Sequence, residues 1–304
     1  MDAHRLNVDD SFFEPEERNG YVVSSEMKKL WAVEMDLLKK LLEVCDKHHL
    51  KIWADGGTLL GTIREHGYIP WDDDIDMAML RDDFDTLVKI APREFSHPYF
   101  FQYGYTEKYY PLGHAKLRMD DTAAIEPNKK YVHIHQGIFI DIFPYDAVPD
   151  DHAKLRHLVA EREKYFSTFH GCLTPLSLRH PGRSLRTILS RSRFRRLYSQ
   201  FESIFRGNSI NENDCVSCLS FIVDLQHFLR KKEWYDSTLY FPFEDIMMPV
   251  PGGYHSILEK QYGDYMTPKQ SSGYHSFWKT DTEQSYKKYL PELKHYLKSE
   301  CPGI

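Results

Sequence analysis

Four carboxylates fall within five positions in Asp72, Asp73, Asp74 and Asp76, between Trp71 and the apolar Ile75, Met77 and Met79. Acidic blocks on protein surfaces are usually solvated, but this one alternates. If residues 73–80 form a strand, the period of two puts Asp74 and Asp76 on one face and Ile75, Met77 and Met79 on the other, toward a core. Like charges side by side on a half-buried strand repel, and desolvation adds to the cost. A divalent cation between them, Mg²⁺ or Mn²⁺, removes that cost and suits clustered oxygen ligands. A solvated acidic turn accounts for Asp72 and Asp73 but not for the alternation. A calcium loop needs Gly and Glu where this chain has Met77 and Asp83.

A glycine turn precedes this stretch. The apolar run Leu50 to Ala54 reads as a strand, and it passes through Asp55, Gly56, Gly57 and Thr58 into a helical segment ending near Arg64. Paired glycines at a strand-to-helix turn let a backbone approach a phosphate, and a helix start favours an anion. Gly56, Gly57 and Thr58 are therefore candidate substrate contacts. Arg64 either grips a phosphate or pairs with the aspartates. In the segment Gly113 to Arg118, the basic His114, Lys116 and Arg118 alternate with Ala115 and Leu117. That is either a solvated outer strand face or, beside the metal site, a source of Lys116 and Arg118 to neutralise a diphosphate. Asp141 lies inside the apolar run Ile134 to Phe143. A lone carboxylate there is costly unless paired or metal-bound, so it is the best candidate for a third acid beside Asp74 and Asp76.

Positioning these groups requires a scaffold. Ser24 or Ser25 caps an expected helix to about His49, with Leu30, Leu37, Leu38, Leu41, Leu42 and Cys45 on one face. A second helix is expected from Asp82 to about Phe95, and strands over Tyr99–Tyr103 and Ile134–Phe143. Pro144 is expected to end the last strand, leaving Asp146 in a loop. Further on, two helices separated by Thr174–Arg183 are expected within 150–206. A third helix is expected over Asn213–Arg230, an extended edge over Tyr240–Val250, and a short helix over Gly253–Tyr262. Trp234, Tyr240, Phe243, Tyr262 and Tyr265 offer a candidate aromatic wall, with core packing the plainer role for each.

The segments Asp55 to Arg64 and Gly67 to Asp76 resemble the signature of the LicD family, which includes phosphocholine transferases and fukutin-related polyol-phosphate transferases. The resemblance continues through Gly137 to Pro144 and, more loosely, Tyr262 to Pro268. It implies a nucleotidyltransferase-like α+β fold, a small mixed sheet flanked by helices. It also implies a donor such as CDP-choline, release of CMP, and a glycan or lipid-linked glycan acceptor. Two divalent ions on Asp74, Asp76 and Asp141 would bridge the diphosphate, with Asp141 holding the second ion or taking the acceptor's proton. The same motifs would serve a nucleotidyltransferase that uses an NTP and a small molecule. The rival outside enzymology is an inactive glycan- or membrane-binding protein.

At 304 residues, with 41% hydrophobic and 28% charged residues, the chain can bury a sizeable core. A formal charge of −6 argues against nucleic acid as a partner. Five cysteines do not make a disulfide framework at this length. Cys215 and Cys218 have zinc spacing without a second ligand pair nearby, so reduced helix cysteines are expected. The N-terminus has no apolar signal core and no run approaches a membrane span, which reads as cytoplasmic, at most at the inner membrane face. Composition divides the chain into an arm (1–23), a catalytic core (24–149), a helical subdomain (150–232) and a C-terminal segment packing back on the core (233–304). Residues 150–206 hold twelve Lys or Arg against five Asp or Glu. They form either a solvated basic face or a landing surface for an anionic glycan or membrane headgroups, focused on Arg191 to Arg196.

Overall fold

The structure is a computed structural model, and it describes residues 8–126, 134–173, 181–207, 213–221, 224–269 and 277–299. After a 3₁₀ turn (Asp10–Phe13), an N-terminal hairpin of β1 (Glu16–Arg18) and β2 (Tyr21–Val23) leads into α1 (Ser25–Lys47). Ser24 caps α1 by accepting from Met27 N at 3.2 Å. Of the expected face, the helix buries Leu30, Leu37, Leu38, Leu41 and Cys45 and half-buries Leu42, and it also buries Trp31. Each such side chain contributes about 1.5–3 kcal/mol of burial.

The site-bearing elements follow: β3 (Trp53–Ala54), α2 (Gly56–Arg64), β4 (Asp76–Leu80), α3 (Arg81–Glu94), β5 (Tyr99–Gln102), β6 (Ala115–Met119), β7 (Ala123–Ile125) and β8 (Phe139–Ala147). β8 is the centre of a mixed sheet. β4 lies parallel to it, with Asp76 opposite Asp141, and β3 is antiparallel beyond β4. β6 runs antiparallel to β8 with Lys116 opposite Asp141, and β5 lies beyond β6. Mixed α and β elements around one central sheet are the expected α+β architecture.

Two expectations near Pro144 do not hold. β8 runs through Pro144 to Ala147, and Asp146 is a fully buried strand residue, not a loop residue. The reason is hydrogen-bond parity. Asp141 N donates to Ile75 O on the β4 side, so strand alternation turns the nitrogen of residue 144 the other way. On that side β6 pairs only as far as Ile142, and β9 (Cys215–Ser217) begins only at Asp146. Proline's missing donor falls in the gap. Asp146 is accepted in the core because Arg81 grips it with both arms, Nε to Oδ1 at 2.6 Å and Nη2 to Oδ2 at 2.8 Å.

The basic region forms a helical hairpin, α4 (His152–Leu173) against α5 (Pro181–Arg206). Phe169, Phe194, Tyr198, Phe201 and Phe205 are buried and continuous with the main core. Glu202 docks α5 on the sheet by accepting from Tyr103 Oη at 2.5 Å and from Tyr105 Oη. The expected Asn213–Arg230 helix is replaced by β9, a one-turn α6 (Leu225–Phe228) and β10 (Arg230–Lys231); Ile222 and Val223 lie outside the described residues. Pairing of β9 with the end of β8 outweighs local helix preference, so Cys215 sits on a strand and Cys218 just past it, both as free thiols.

A hairpin of β11 (Thr238–Phe243) and β12 (Ile246–Pro251) places Pro242 and Pro249 outside the central sheet, as expected of an edge. α7 (Tyr254–Tyr262) ends at the Tyr262–Pro268 motif. β13 (Lys279–Asp281) pairs with β7, and α8 (Leu290–Ser299) closes the described chain. No helix among the described residues is long and apolar enough to cross a membrane.

Candidate active site

The strand, turn and helix around residue 55 are latched to the aspartate strand. Asp55 N donates to Asp76 O at 2.9 Å, and Asp76 N donates to Thr58 Oγ1 at 2.8 Å. Asp55 also caps α2 by accepting from Gly56 N at 2.8 Å. Its own carboxylate is held by Arg230, 2.6 Å away, and by the Tyr145 hydroxyl at 2.7 Å. Thr58 is thus buried, and its hydroxyl accepts from the backbone of Asp76 and holds that strand in place.

The paired glycines make room for acid. A Cβ on Gly56 would lie 2.8 Å from Asp76 Oδ2, and Gly56 has φ +52°. A Cβ on Gly57 would lie 2.4 Å from Asp72 Oδ2. Either side chain would displace a carboxylate. The place of a Cβ on each glycine is taken by an aspartate, while Gly57 also borders the cavity over the acids.

Asp72, Asp73 and Asp74 can each bring one oxygen within 4.8 Å of the others. That spread matches a cation with metal–oxygen bonds of roughly 2.0–2.6 Å, so this donor set fits Mg²⁺ or Mn²⁺. The loop is pinned by Trp31 Nε1, which donates to Asp72 O at 2.8 Å. Burial, then Asp74 and Asp73, push the Asp72 carboxyl well above the ordinary range. Burial, then Asp74 and Asp141, do the same to Asp76. β4 begins only at Asp76, so Asp72–Asp74 lie on its approach loop and not on the expected 73–80 strand; the apolar face of Ile75, Met77 and Met79 is buried as expected.

Asp141 comes beside Asp76 but is already partnered. Lys116 Nζ lies 2.8 Å from both of its carboxylate oxygens, and His114 Nε2 lies 3.1 Å from Oδ1. Burial opposes ionisation, yet Lys116 and His114 together hold this carboxyl well below the usual carboxylate range. Of the two sequence-level options for Asp141, the structure shows the ion pair. The basic face of β6 is neither solvated nor available to a diphosphate, since His114, Lys116 and Arg118 are all buried. Arg118 donates to Gln102 Oε1 at 2.5 Å and to Gly137 O at 2.7 Å. These partners sit on neighbouring strands, which is why sequence alone did not disclose them.

A cavity of about 440 Å³ opens over the aspartates, lined by Gly57, Arg64, Trp71, Asp72, Asp74 and Asp76 on one side and by the segment Tyr262–Lys269 on the other. Arg64 reaches it, with its Nε donating to Glu65 Oε1 at 2.6 Å and its Nη1 to Tyr265 O at 3.1 Å. Tyr262 and Tyr265 join Trp71 as an aromatic wall. From the same expected set, Phe243 is buried against Tyr68 and Tyr240 is exposed on β11. Asp72, Asp264, Thr267 and Lys269 were not among the expected site residues; the Tyr262–Pro268 resemblance was the signal that could have found Asp264 and Thr267.

The latched glycine turn, the acid loop and the mixed sheet define a nucleotidyltransferase-type domain. Residues 49–184 match the LicD/FKTN/FKRP nucleotidyltransferase domain. Over 258 residues it is 26% identical to the lipopolysaccharide cholinephosphotransferase LicD of Haemophilus influenzae, covering 79% of this chain and 93% of that protein. Two uncharacterized proteins, from Rickettsia prowazekii and Rickettsia typhi, are 40% and 37% identical over 73 residues, 24% of this chain.

Proposed function

We propose that this chain transfers phosphocholine, or a related polyol phosphate, from a CDP-linked donor such as CDP-choline to a hydroxyl of a cell-surface glycan or its lipid-linked precursor. The observation that carries this reading is the cavity itself, lined together by Asp72, Asp74 and Asp76 and by Trp71, Tyr262 and Tyr265. The acids suit a cation-bridged diphosphate, and the rings suit a quaternary ammonium. The name of the Haemophilus relative, a lipopolysaccharide cholinephosphotransferase, supports the same group and acceptor class.

In the proposed reaction the acceptor oxygen bonds to the phosphorus that carries choline. The bond from that phosphorus to the bridging oxygen breaks, CMP leaves with the electron pair, and the hydroxyl proton passes to a cavity carboxylate and then to water. A divalent ion held by Asp72, Asp73 and Asp74, beside Asp76, would supply neutralisation of diphosphate charge when bound. Lys269 and Arg64, both at the cavity, take the cationic role first assigned to Lys116 and Arg118. Thr58 and the Asp55–Arg230 pair hold the glycine turn and Asp76 in register.

The acceptor side draws on the hairpin. Leu185, Ile188 and Leu189 on α5 are 59%, 49% and 48% exposed, and Arg186, Arg193, Arg195 and Arg196 are exposed on the same helix. Apolar side chains among basic ones on a helix suit the surface of an anionic membrane carrying a lipid-linked acceptor. CMP release from CDP-choline with Mg²⁺, abolished by EDTA, is the expected result. Pyrophosphate release from NTPs in its place would establish the nucleotidyltransferase alternative.

A further inference from the structure

Asp76, Asp141, Lys116 and Gln102 form one row across β4, β8, β6 and β5, each opposite the next in the strand register. A two-ion site built on Asp74, Asp76 and Asp141 requires Asp141 to turn a free oxygen toward the diphosphate. Here Lys116 Nζ donates to Oδ2 at 2.8 Å, and Oδ1, which makes no hydrogen bond among the described residues, is held in ion-pair range of both Lys116 at 2.8 Å and His114 at 3.1 Å. The ammonium has no solvent to return to: its carbon stem is buried in the sheet and its Nζ sits 3.5 Å from the centre of the Phe139 ring. Moving it aside for a metal would strand a buried cation next to the buried Arg118, and would strip His114 of its acid as well. The row therefore carries its own positive charge on the β6 side, while Asp72, Asp74 and Asp76 line the cavity side.

We propose that this chain binds one divalent ion, on the cavity acids, and that Lys116 permanently occupies the place of the second cation. The inference rests on the metal-dependent reading above and changes its expected stoichiometry from two ions to one. Asp141 is then a positioning residue, which fixes the Lys116 charge beside Asp76 without touching metal.

The test is a titration of the full chain with Mn²⁺, with and without CMP, followed by electron paramagnetic resonance. One bound Mn²⁺ per chain with an uncoupled six-line spectrum is expected in both conditions. Two ions about 3.5–4 Å apart would give a spin-coupled spectrum, and that result in the wild type would overturn the one-ion inference while leaving metal dependence intact. No bound Mn²⁺ at all would overturn both. Lys116→Met frees Asp141 and is expected to admit a second, coupled ion; if that variant fails to fold, the wild-type count and spectrum decide the question. Asp141→Asn is expected to leave Mn²⁺ affinity within about threefold, whereas Asp74→Asn lowers it at least 10–100-fold, roughly the loss known for disturbed metal shells.

Discussion

The central sheet and the α4–α5 hairpin are both rich in charge and treat it in opposite ways. In the sheet and at the helix start beside it, Lys116, Arg118, Arg230 and Arg81 are buried, and each meets a named acid, amide or carbonyl on another element. On the hairpin, Arg193, Arg195 and Arg196 are exposed and form no ion pair among the described residues. The glycines divide the same way. Gly56 and Gly57 have carboxylate oxygens where a Cβ would go, while Gly171 in α4 has open space. Charge in the sheet sets geometry, because a buried ion without its partner is expensive. Charge on the hairpin is available to a partner, because water already solvates it.

The largest effects are expected around the central sheet. Asp74→Asn is expected to reduce CMP release from CDP-choline by about 10³-fold with the fold retained, as judged by circular dichroism, since in the proposed reaction it removes both a metal ligand and a charge beside the diphosphate. Arg81→Ala leaves Asp146 buried and unpaired, and urea unfolding is expected to show a loss of about 3–5 kcal/mol. An unchanged midpoint would mean that Asp146 finds another partner. Gly57→Ala pushes on Asp72 and is expected to lower turnover roughly 10–100-fold with a smaller effect on melting temperature.

The hairpin supplies the small effects. Gly171→Ala has no clash and removes unfolded-state freedom, so a gain of about 0.5–1 kcal/mol is expected. Joint reversal of Arg193, Arg195 and Arg196 to Glu is expected to change stability by less than about 0.5 kcal/mol and CMP release with a soluble acceptor by less than twofold. The same variant should bind vesicles containing anionic lipid more weakly than the wild type, read by co-sedimentation at low and high salt. Equal vesicle binding would reduce the hairpin to a solvated face.

Much of this was legible along the chain. The alternation from Ile75 to Met79 announced a strand with an apolar face, and the Ser24 cap and spaced leucines announced α1. The Asp55-Gly56-Gly57 turn announced a strand-to-helix junction, and α2 begins there at Gly56. Local rules suffice for such features because they depend on side-chain period and on backbone groups a few residues apart. They failed where a distant strand decided the matter. Pro144 reads as a stop until β6 and β9 are seen to leave its nitrogen unneeded, and residues 213–230 read as a helix until β9 pairs with β8.

The sequence by itself determined the presence of an acid cluster behind a glycine turn, the apolar faces that bury its scaffold, and the basic character of residues 150–206. Only the tertiary structure decided which acids share a cavity and which are neutralised in place. A carboxylate's role follows from what stands opposite it across the sheet, and Lys116 reaches Asp141 through strand register, a relation that no local spacing encodes.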